Sequence, residues 1–257
     1  PPVTPSRFFP MINTLFWNIR GVAKAPNLRR LKKLIRLNNL QLVAICEPKL
    51  HVSNVESIRL RLSFDSVVVN LSKDIWVFYN LPFACSVLGN SDQHISLLVS
   101  HPWLPCAMRF SFVHAKCTLE ERKELWQALV LDKPSPQPWC ICGDLNAITA
   151  PDEKKGGRPF SSTEGLELMS FMEEAEVFDV GFSGSSFTWC NNRQGRARIW
   201  KRLDRLMINA ECSDLPAPVA ASHLARHPSD HAPLKMSFTS RLDSKPHPFR
   251  SLNVWTS

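Results

Sequence analysis

Short apolar runs that stop abruptly at a polar residue recur along this chain and limit what it can fold into. Leu15-Phe16-Trp17 halts at Asn18, Leu42 to Cys46 halts at Glu47, and Trp139 to Cys142 gives way to Asp144 and Asn146. Runs this short, rich in branched and aromatic side chains, read as β-strands. Further runs of the same kind are Ser66 to Asn70, Ile75 to Tyr79, Ile95 to Val99 and Ala107 to Val113, followed late in the chain by Phe187 to Cys190, Ile199 to Ile208 and Leu234 to Phe238. Each polar terminator then sits where a strand opens onto a loop, so several strand ends can converge on one mouth.

Helical spacing punctuates the strands at Leu28, Leu31, Leu34 and Ile35, at Leu125, Trp126, Leu129 and Val130, and at Leu166, Met169 and Met172. There is no internal repeat. Residues 1–10 carry four prolines and no periodicity and read as an unstructured leader, and the proline-rich, polar stretch 241–257 reads as a linker tail. The domain is expected to span 11–240, as two stacked β-sheets flanked by helices.

With 257 residues and 44% hydrophobic content the chain can bury a substantial core. The apolar run at Met11 to Trp17 is broken by Asn13 and followed by Asn18 and Arg20, far short of the roughly 20 residues of a membrane span. A soluble protein without a secretory signal is expected. The eight cysteines are scattered, with no C-x-x-C pair, so reduced and mostly buried thiols are expected rather than a zinc cluster. The excess of 31 Lys+Arg over 23 Asp+Glu gives +8, a surface that attracts polyanions.

Hydrolysis of a phosphodiester needs a divalent cation to neutralise developing charge, an activated water, and groups that orient phosphate and leaving oxygen. Carboxylates, amides and an imidazole meet those needs, and two later segments supply more of them: Arg202-Leu203-Asp204-Arg205 and Ser229-Asp230-His231-Ala232-Pro233. Singly, each is an ordinary turn residue or surface charge. The order W-N-I-R-G, I-C-E-P, G-D-L-N, R-L-D-R, S-D-H-A-P resembles that of the exonuclease–endonuclease–phosphatase superfamily, from roughly Met11 to Ser240. The resemblance implies a DNase I-like, four-layer α/β sandwich, with two packed, mainly antiparallel or mixed sheets between helices.

Within that superfamily the chain resembles the endonuclease domains of plant LINE-type (non-LTR) retrotransposons. The likeness is carried by Pro151-Asp152-Glu153-Lys154-Lys155-Gly156-Gly157-Arg158, by Ser186-Phe187-Thr188-Trp189 and by Phe249-Arg250-Ser251-Leu252-Asn253-Val254-Trp255. In those elements a reverse transcriptase follows. None lies within these residues, so a fragment, a remnant or a stand-alone copy is expected. The resemblance implies Glu47 as principal Mg²⁺ ligand with Asn18 and Asp230 nearby. It implies Asp144 orienting or deprotonating the attacking water, Asn146 holding a phosphate oxygen, and His231 contacting the scissile phosphate with its ring oriented by Asp204. Oxygen ligands without thiolate suit Mg²⁺ or Mn²⁺ better than zinc. One metal or two, and the identity of the general base, stay open. His114 stands where the family usually has a phosphate-binding Tyr, and Cys117 where many relatives have an amide, so activity below that of a Tyr-bearing relative is expected.

DNA contacts are expected from Lys154, Lys155 and Arg158, with Thr188 and Arg198 positioning the strand. Arg29, Arg30, Lys32, Lys33 and Arg36 read first as the solvated side of a helix. The four-residue spacing of His223, His227 and His231 invites a zinc reading, but Pro228 breaks any such helix, which leaves His223 and His227 at the surface or near phosphate. Trp17, Trp76 and Trp126 read as core rather than base-stacking platforms. The expected function is single-strand nicking of DNA to leave a 3′-hydroxyl, by a monomer that needs no small-molecule cofactor and no membrane. It would act in the nucleus where the DNA is, otherwise in the cytoplasm. The alternatives are an abasic-site endonuclease, a phosphatase of the same superfamily, or a nucleic-acid-binding remnant with impaired catalysis.

Overall fold

Alternate residues of the central strands enter two different hydrophobic layers, and this is why those runs are apolar throughout. The computed structural model describes residues 11–239; the expected leader, the expected tail and the Phe249 to Trp255 segment lie outside the described residues. The first half comprises β1 (Met11–Asn18), α1 (Ala25–Asn38), β2 (Leu42–Cys46), α2 (Val55–Leu62), β3 (Ser66–Val69), β4 (Ile75–Tyr79), β5 (Ala84–Asn90), β6 (His94–Ser100) and β7 (Met108–His114). The second comprises α3 (Leu119–Leu131), β8 (Trp139–Asp144), β9 (Lys154–Lys155), α4 (Leu166–Glu174), β10 (Val177–Asp179), β11 (Ser183–Gly184), β12 (Trp189–Cys190), β13 (Trp200–Lys201), β14 (Asp204–Asn209), α5 (Ala210–Ser213), β15 (Val219–His223) and β16 (Leu234–Thr239).

One sheet has the order β11-β15-β16-β1-β2-β4-β3 and the other β10-β14-β8-β7-β6-β5. Between them lie Phe16, Leu42, Ala44, Cys46, Ile75 and Val77 from the first and Phe110, Phe112, Cys140, Cys142 and Leu206 from the second. The alternate residues Leu15, Trp17, Val43, Ile45, Trp76 and Phe78 point outward and pack on Leu28, Leu31, Leu34, Ile58 and Leu62 of α1 and α2. On the far side, Val113, Trp139, Ile141 and Met207 pack on Leu125, Trp126 and Leu129 of α3 and Leu168 and Phe171 of α4. The result is the expected four-layer α/β sandwich. Each large side chain buried this way contributes about 1.5–3 kcal/mol. Trp17, Trp76 and Trp126 are core, and all eight cysteines are free, five of them buried.

Several elements were not legible as runs. β5 is an edge strand rich in Ala, Ser, Gly and Asn and mostly exposed, so it lacks an apolar pattern. α2 is only eight residues long, and β15 is built on Ala-Ala-Ser. The expected Ile199 to Ile208 strand is two strands: β13 pairs with β9 and β12 in a small third sheet, while β14 joins β8. The expected Phe187 to Cys190 strand shrinks to β12.

The break between β13 and β14 holds a buried ionic network. Arg202 and Arg205 both donate to Glu153 and to Asp179, at 3.0 and 2.7 Å on Glu153 Oε1 and 2.7 and 3.0 Å on Asp179 Oδ2. The network ties the loop after β8 to the R-L-D-R segment. Burial pushes the Glu153 carboxyl up, but the hydrogen bond and charge of Arg205 overcome this and hold its pKa at about 2, against an ordinary 4.5. A depressed carboxyl stabilises the fold fully above about pH 4.5 and loses that contribution as pH falls through 2. In urea unfolding at pH 7, Glu153→Ala should cost about 3–5 kcal/mol because it leaves two buried guanidinium groups short of a partner. The gap between wild type and variant should close as pH drops through that window.

Candidate active site

Strand register brings the polar terminators to one rim. β1 and β2 run parallel with Asn18 opposite Cys46, and β4 runs back from Ile75 opposite Cys46. In the other sheet, β7 and β8 run parallel with His114 opposite Asp144, and β14 starts antiparallel with Asp204 opposite Asp144. β16 pairs antiparallel with β1, Leu234 opposite Phe16, so Ser229 to Ala232 precede it at the same edge. Every group at the rim therefore follows a strand that ends there or precedes one that starts there. Gly143 is required by close approach: a Cβ at this position would stand 2.0 Å from the Val113 carbonyl oxygen of β7.

The two sheets meet chemically at Asn18, whose buried Nδ2 donates to Glu47 Oε1 at 3.0 Å and to Asp144 Oδ2 at 3.0 Å. Arg20 clamps the neighbouring acids. Its Nη1 donates to both Glu47 oxygens at 2.8 Å, while Nε and Nη2 donate to Asp230 Oδ1 and Oδ2 at 3.0 and 3.1 Å. Lys49 Nζ adds a contact to Glu47 at 3.1 Å. Burial pushes the Glu47 carboxyl up, yet the hydrogen bonds from Arg20 and Asn18 bring it down to about 2, and Asp230 is lowered in the same way against its own burial, mainly by Arg20. Both are carboxylates at any ordinary pH.

On the other side, His231 Nδ1 lies 3.0 Å from Asp204 Oδ2, and its Nε2 lies 3.5 Å from Asp144 Oδ2. Burial disfavours a charged ring, but the charges of Asp144 and Asp204 outweigh it and raise the His231 pKa to about 9. Burial pushes Asp144 up, the His231 charge pulls it down, Asp204 pushes it up again, and the balance is a raised pKa. The Asn146 backbone N–H donates to Asp144 Oδ1 at 3.2 Å, and its side-chain amide donates to the Ala115 carbonyl at 2.7 Å. His114 Nδ1 is 2.6 Å from Asp74 Oδ2, and its Nε2 is 3.7 Å from Glu47. Burial lowers and the Asp74 hydrogen bond raises its pKa, with a net increase.

Arg20, Glu47, His114, Asp144, Asn146 and His231 line a cleft of about 350 Å³ together with Lys116, Cys117, Trp189 and Lys201. Its hard oxygen donors are Glu47, Asp144 and Asn146, set among the basic side chains of Arg20, His114, Lys116, Lys201 and His231. Asn18 Nδ2 is shared by Glu47 and Asp144, while its Oδ1 is buried without a hydrogen-bond partner, an unsatisfied acceptor that a divalent cation would satisfy. The ligand atoms of Asp144, Asp204 and His231 also lie within 4.8 Å of one another. Asp144 and Asp204 draw the His231 imidazole to its charged form, which has no lone pair to offer, while both Glu47 oxygens are taken by Arg20 and Lys49, so an ion on either side would displace an existing hydrogen bond.

The expected site residues are thus brought together, apart from the DNA-contact group. Lys154 is paired with Glu164 at 3.1 Å on β9, while Lys155, Arg158 and Arg198 are exposed on and beside the small third sheet. Thr188 is a correction. It is fully buried and its hydroxyl accepts the backbone N–H groups of Leu203 and Asp204 at 2.9 and 3.0 Å, so it positions Asp204 rather than DNA. His223 is another: it is buried, stacked on Phe182 and bonded to the Ser185 carbonyl, whereas His227 is exposed as expected. Arg29, Lys32, Lys33 and Arg36 line a separate groove with Arg61 of α2. Arg20, Asp74, Lys49 and Lys201 were not anticipated. Arg20 stands inside the W-N-I-R-G motif and could have been found there; Asp74 lies in a turn with no pattern of its own.

Because the folded His231 value lies above the ordinary 6.5, its stabilisation is complete below about pH 6.5 and vanishes as pH rises through 9. The thermal midpoint in EDTA should therefore fall across that interval, and His231→Gln should flatten the fall. A variant with the wild-type pH slope would contradict the charged ring.

Residues 15–231 match the model of the Endonuclease/Exonuclease/phosphatase family. No curated protein matches the chain by sequence. Among solved structures, the 3′ phosphatase NExo from Neisseria, bound to a product DNA hairpin, superposes with a TM-score of 0.66 at 16% identity, covering 88% of this chain and 99% of that one. The endonuclease domain of TRAS1, a telomere-specific non-LTR retrotransposon, gives 0.65 at 13% identity over 90% and 99%. The AP endonuclease LMAP from Leishmania major gives 0.65 at 13% identity over 89% and 88%. At these identities the structural likeness speaks for the DNase I-like fold alone, while the sequence match, which spans most of the chain and takes in the rim from Asn18 to His231, establishes that this protein belongs to the Endonuclease/Exonuclease/phosphatase family of hydrolases.

Proposed function

We propose that the chain is an endonuclease that hydrolyses DNA phosphodiester bonds with Mg²⁺ or Mn²⁺, nicking one strand to leave a 3′-hydroxyl, in keeping with its resemblance to retrotransposon endonucleases. The observation that carries the reading is the buried Asn18 amide joined to both Glu47 and Asp144, two acids that line the cleft beside a charged His231. Glu47, with Asn18 and Asp144 beside it, would hold the ion, and Asp230 reaches the same acid only through Arg20. A bound divalent ion would polarise a phosphate oxygen and offset the charge that grows on it.

The protein's own groups do the rest. Asp144 orients the attacking water or takes its proton. His231 presents Nε2–H toward the scissile phosphate, kept protonated and in one orientation by Asp204. Asn146, whose backbone has φ 47°, lines the cleft, and the amide hydrogen not given to the Ala115 carbonyl would hold a phosphate oxygen. Lys116 and Lys201 line the cleft, and Lys155, Arg158 and Arg198 lie exposed beside it as strand contacts. A DNA substrate would place its work in the nucleus.

With supercoiled plasmid and Mg²⁺, the wild-type chain should convert closed circles to nicked circles, and EDTA should abolish conversion. Glu47→Ala and Asp144→Ala should each slow it on the order of 10²–10⁴-fold. Plasmid binding without metal-dependent nicking would instead favour a binding remnant, and preference for abasic or 3′-phosphate duplexes would move the chain to another branch of the family. His114 holds its place through Asp74, with a shorter reach than a phenol. His114→Tyr should therefore nick faster than wild type, and equal rates would remove that residue as a cause of reduced activity.

A further inference from the structure

Helix α1 carries Arg29, Arg30, Lys32, Lys33 and Arg36 and no acidic residue in its 14 positions. Arg30 turns aside to the Ala225 carbonyl, but Arg29, Lys32, Lys33 and Arg36 are exposed and line a groove of about 530 Å³ with the exposed Arg61 of α2. None of these five forms an ion pair with another described residue, and Glu56, the one acid of α2, is held by Arg59 at 2.7 Å. The helix does not need this charge. Arg29 stands three and four positions from Lys32 and Lys33, and Arg36 the same from both, where side chains are neighbours on a helix and like charges weaken it. The helix dipole favours cations in the last turn, which covers Arg36 but not Arg29. Register sets the groove apart from the cleft. Asn13 Nδ2 donates to the Asn38 carbonyl at 3.0 Å, so α1 runs back from the rim along β1 toward its start. β3, which follows α2, begins with Ser66 opposite Tyr79, and Tyr79 in turn pairs with Leu42 at the start of β2. Arg61 therefore lies toward the far end of the sheet from Glu47, on the outer helical layer, and the groove shares no residue with the cleft.

We infer that the groove between α1 and α2 is a second docking surface for duplex DNA, gripping the backbone of a segment other than the one in the cleft. The identity of the polyanion rests on the DNA-nicking reading above; the cationic groove itself does not. From Arg29 to Arg36 the helix advances about 10 Å, and a duplex presents one charge per about 1.7 Å of its axis, so several phosphates come within reach of the five long side chains. Among the described residues no aromatic side chain lines the groove, so the bases of a single strand would find nothing to stack on, whereas a duplex keeps its bases stacked inside and offers its backbone. Its apolar lining is the buried Leu62 and the half-buried Ile35, neither of them exposed for insertion into lipid. Contacts of this kind hold DNA without reading its sequence. Supercoiled DNA brings distant segments side by side, so a grip on one keeps the cleft close to another.

The test counts duplexes, without turnover. A short blunt duplex is titrated into the intact chain in EDTA at low salt and the complexes are weighed by native mass spectrometry, with folding of each variant checked by circular dichroism. Wild type should hold two duplexes and the groove variant Lys32→Glu with Lys33→Glu should hold one, Glu being as good a helix former as Lys. Lys123→Glu with Lys133→Glu, which changes the net charge equally around α3 on the opposite helical layer, should still hold two. By fluorescence anisotropy, the slope of log affinity against log salt should be shallower by about 2 in the groove variant, one phosphate contact for each lysine. A single duplex on wild type that the groove variant loses would keep the groove and sink the cleft as a DNA site. An unchanged count in the groove variant, an equal loss in the α3 variant, or tighter binding of single-stranded RNA or anionic phospholipid vesicles than of the duplex would each overturn the inference.

Discussion

Among the described residues, Asn18 is the one whose side chain hydrogen-bonds both Glu47, beyond β2, and Asp144, at the end of β8, an acid from each half of the sandwich. The rest of the rim is hung from the same strand end. Trp17 Nε1 donates to the His231 carbonyl at 3.0 Å, and Ser229 Oγ donates to the Asn18 carbonyl. Because these bonds are buried, a break leaves desolvated polar atoms rather than exposing them to water, which makes the arrangement cooperative. The distance between Glu47 and Asp144 is therefore a property of how the two sheets pack, and the hydrophobic layer between them sets the chemistry's dimensions.

The rim also gathers like charges that would repel one another. Glu47, Asp144, Asp204 and Asp230 share a small volume, and each has a cationic or protonated neighbour: Arg20 and Lys49 at Glu47, Arg20 at Asp230, His231 at Asp144 and Asp204. The compensation is uneven. Glu47 and Asp230 are driven firmly to the ionised state, while the buried Asp144 is raised and shares its environment with a charged imidazole. Groups whose environments pull their proton affinities apart are what acid–base division of labour requires.

Much of this was written in one dimension. The runs ending at Asn18, Glu47 and Asp144 are buried on both faces, so their apolar character is unbroken until the strand leaves the core, and the first polar residue marks the rim. What was not legible depends on partners distant in the chain. Asp74 gains meaning only because β4 starts where β2 ends, which puts it beside His114. Arg20 looks like a solvated turn residue until the two acids it joins are found 27 and 210 positions away. Thr188 and His223 misled because both are polar and near motif residues, yet each spends its hydrogen bonds on backbone atoms inside the fold.

The small sheet of β9, β12 and β13 carries one more implication. Its root is locked by Glu153 and the two buried arginines, and Lys154 is tied to Glu164, but from Lys155 through Pro159 the chain is exposed. Root and tip are thus mechanically separate. A lineage could lengthen, shorten or recharge the tip without moving Asp144 or Asp204, so preference for one stretch of target over another can drift while the cutting machinery stays as it is.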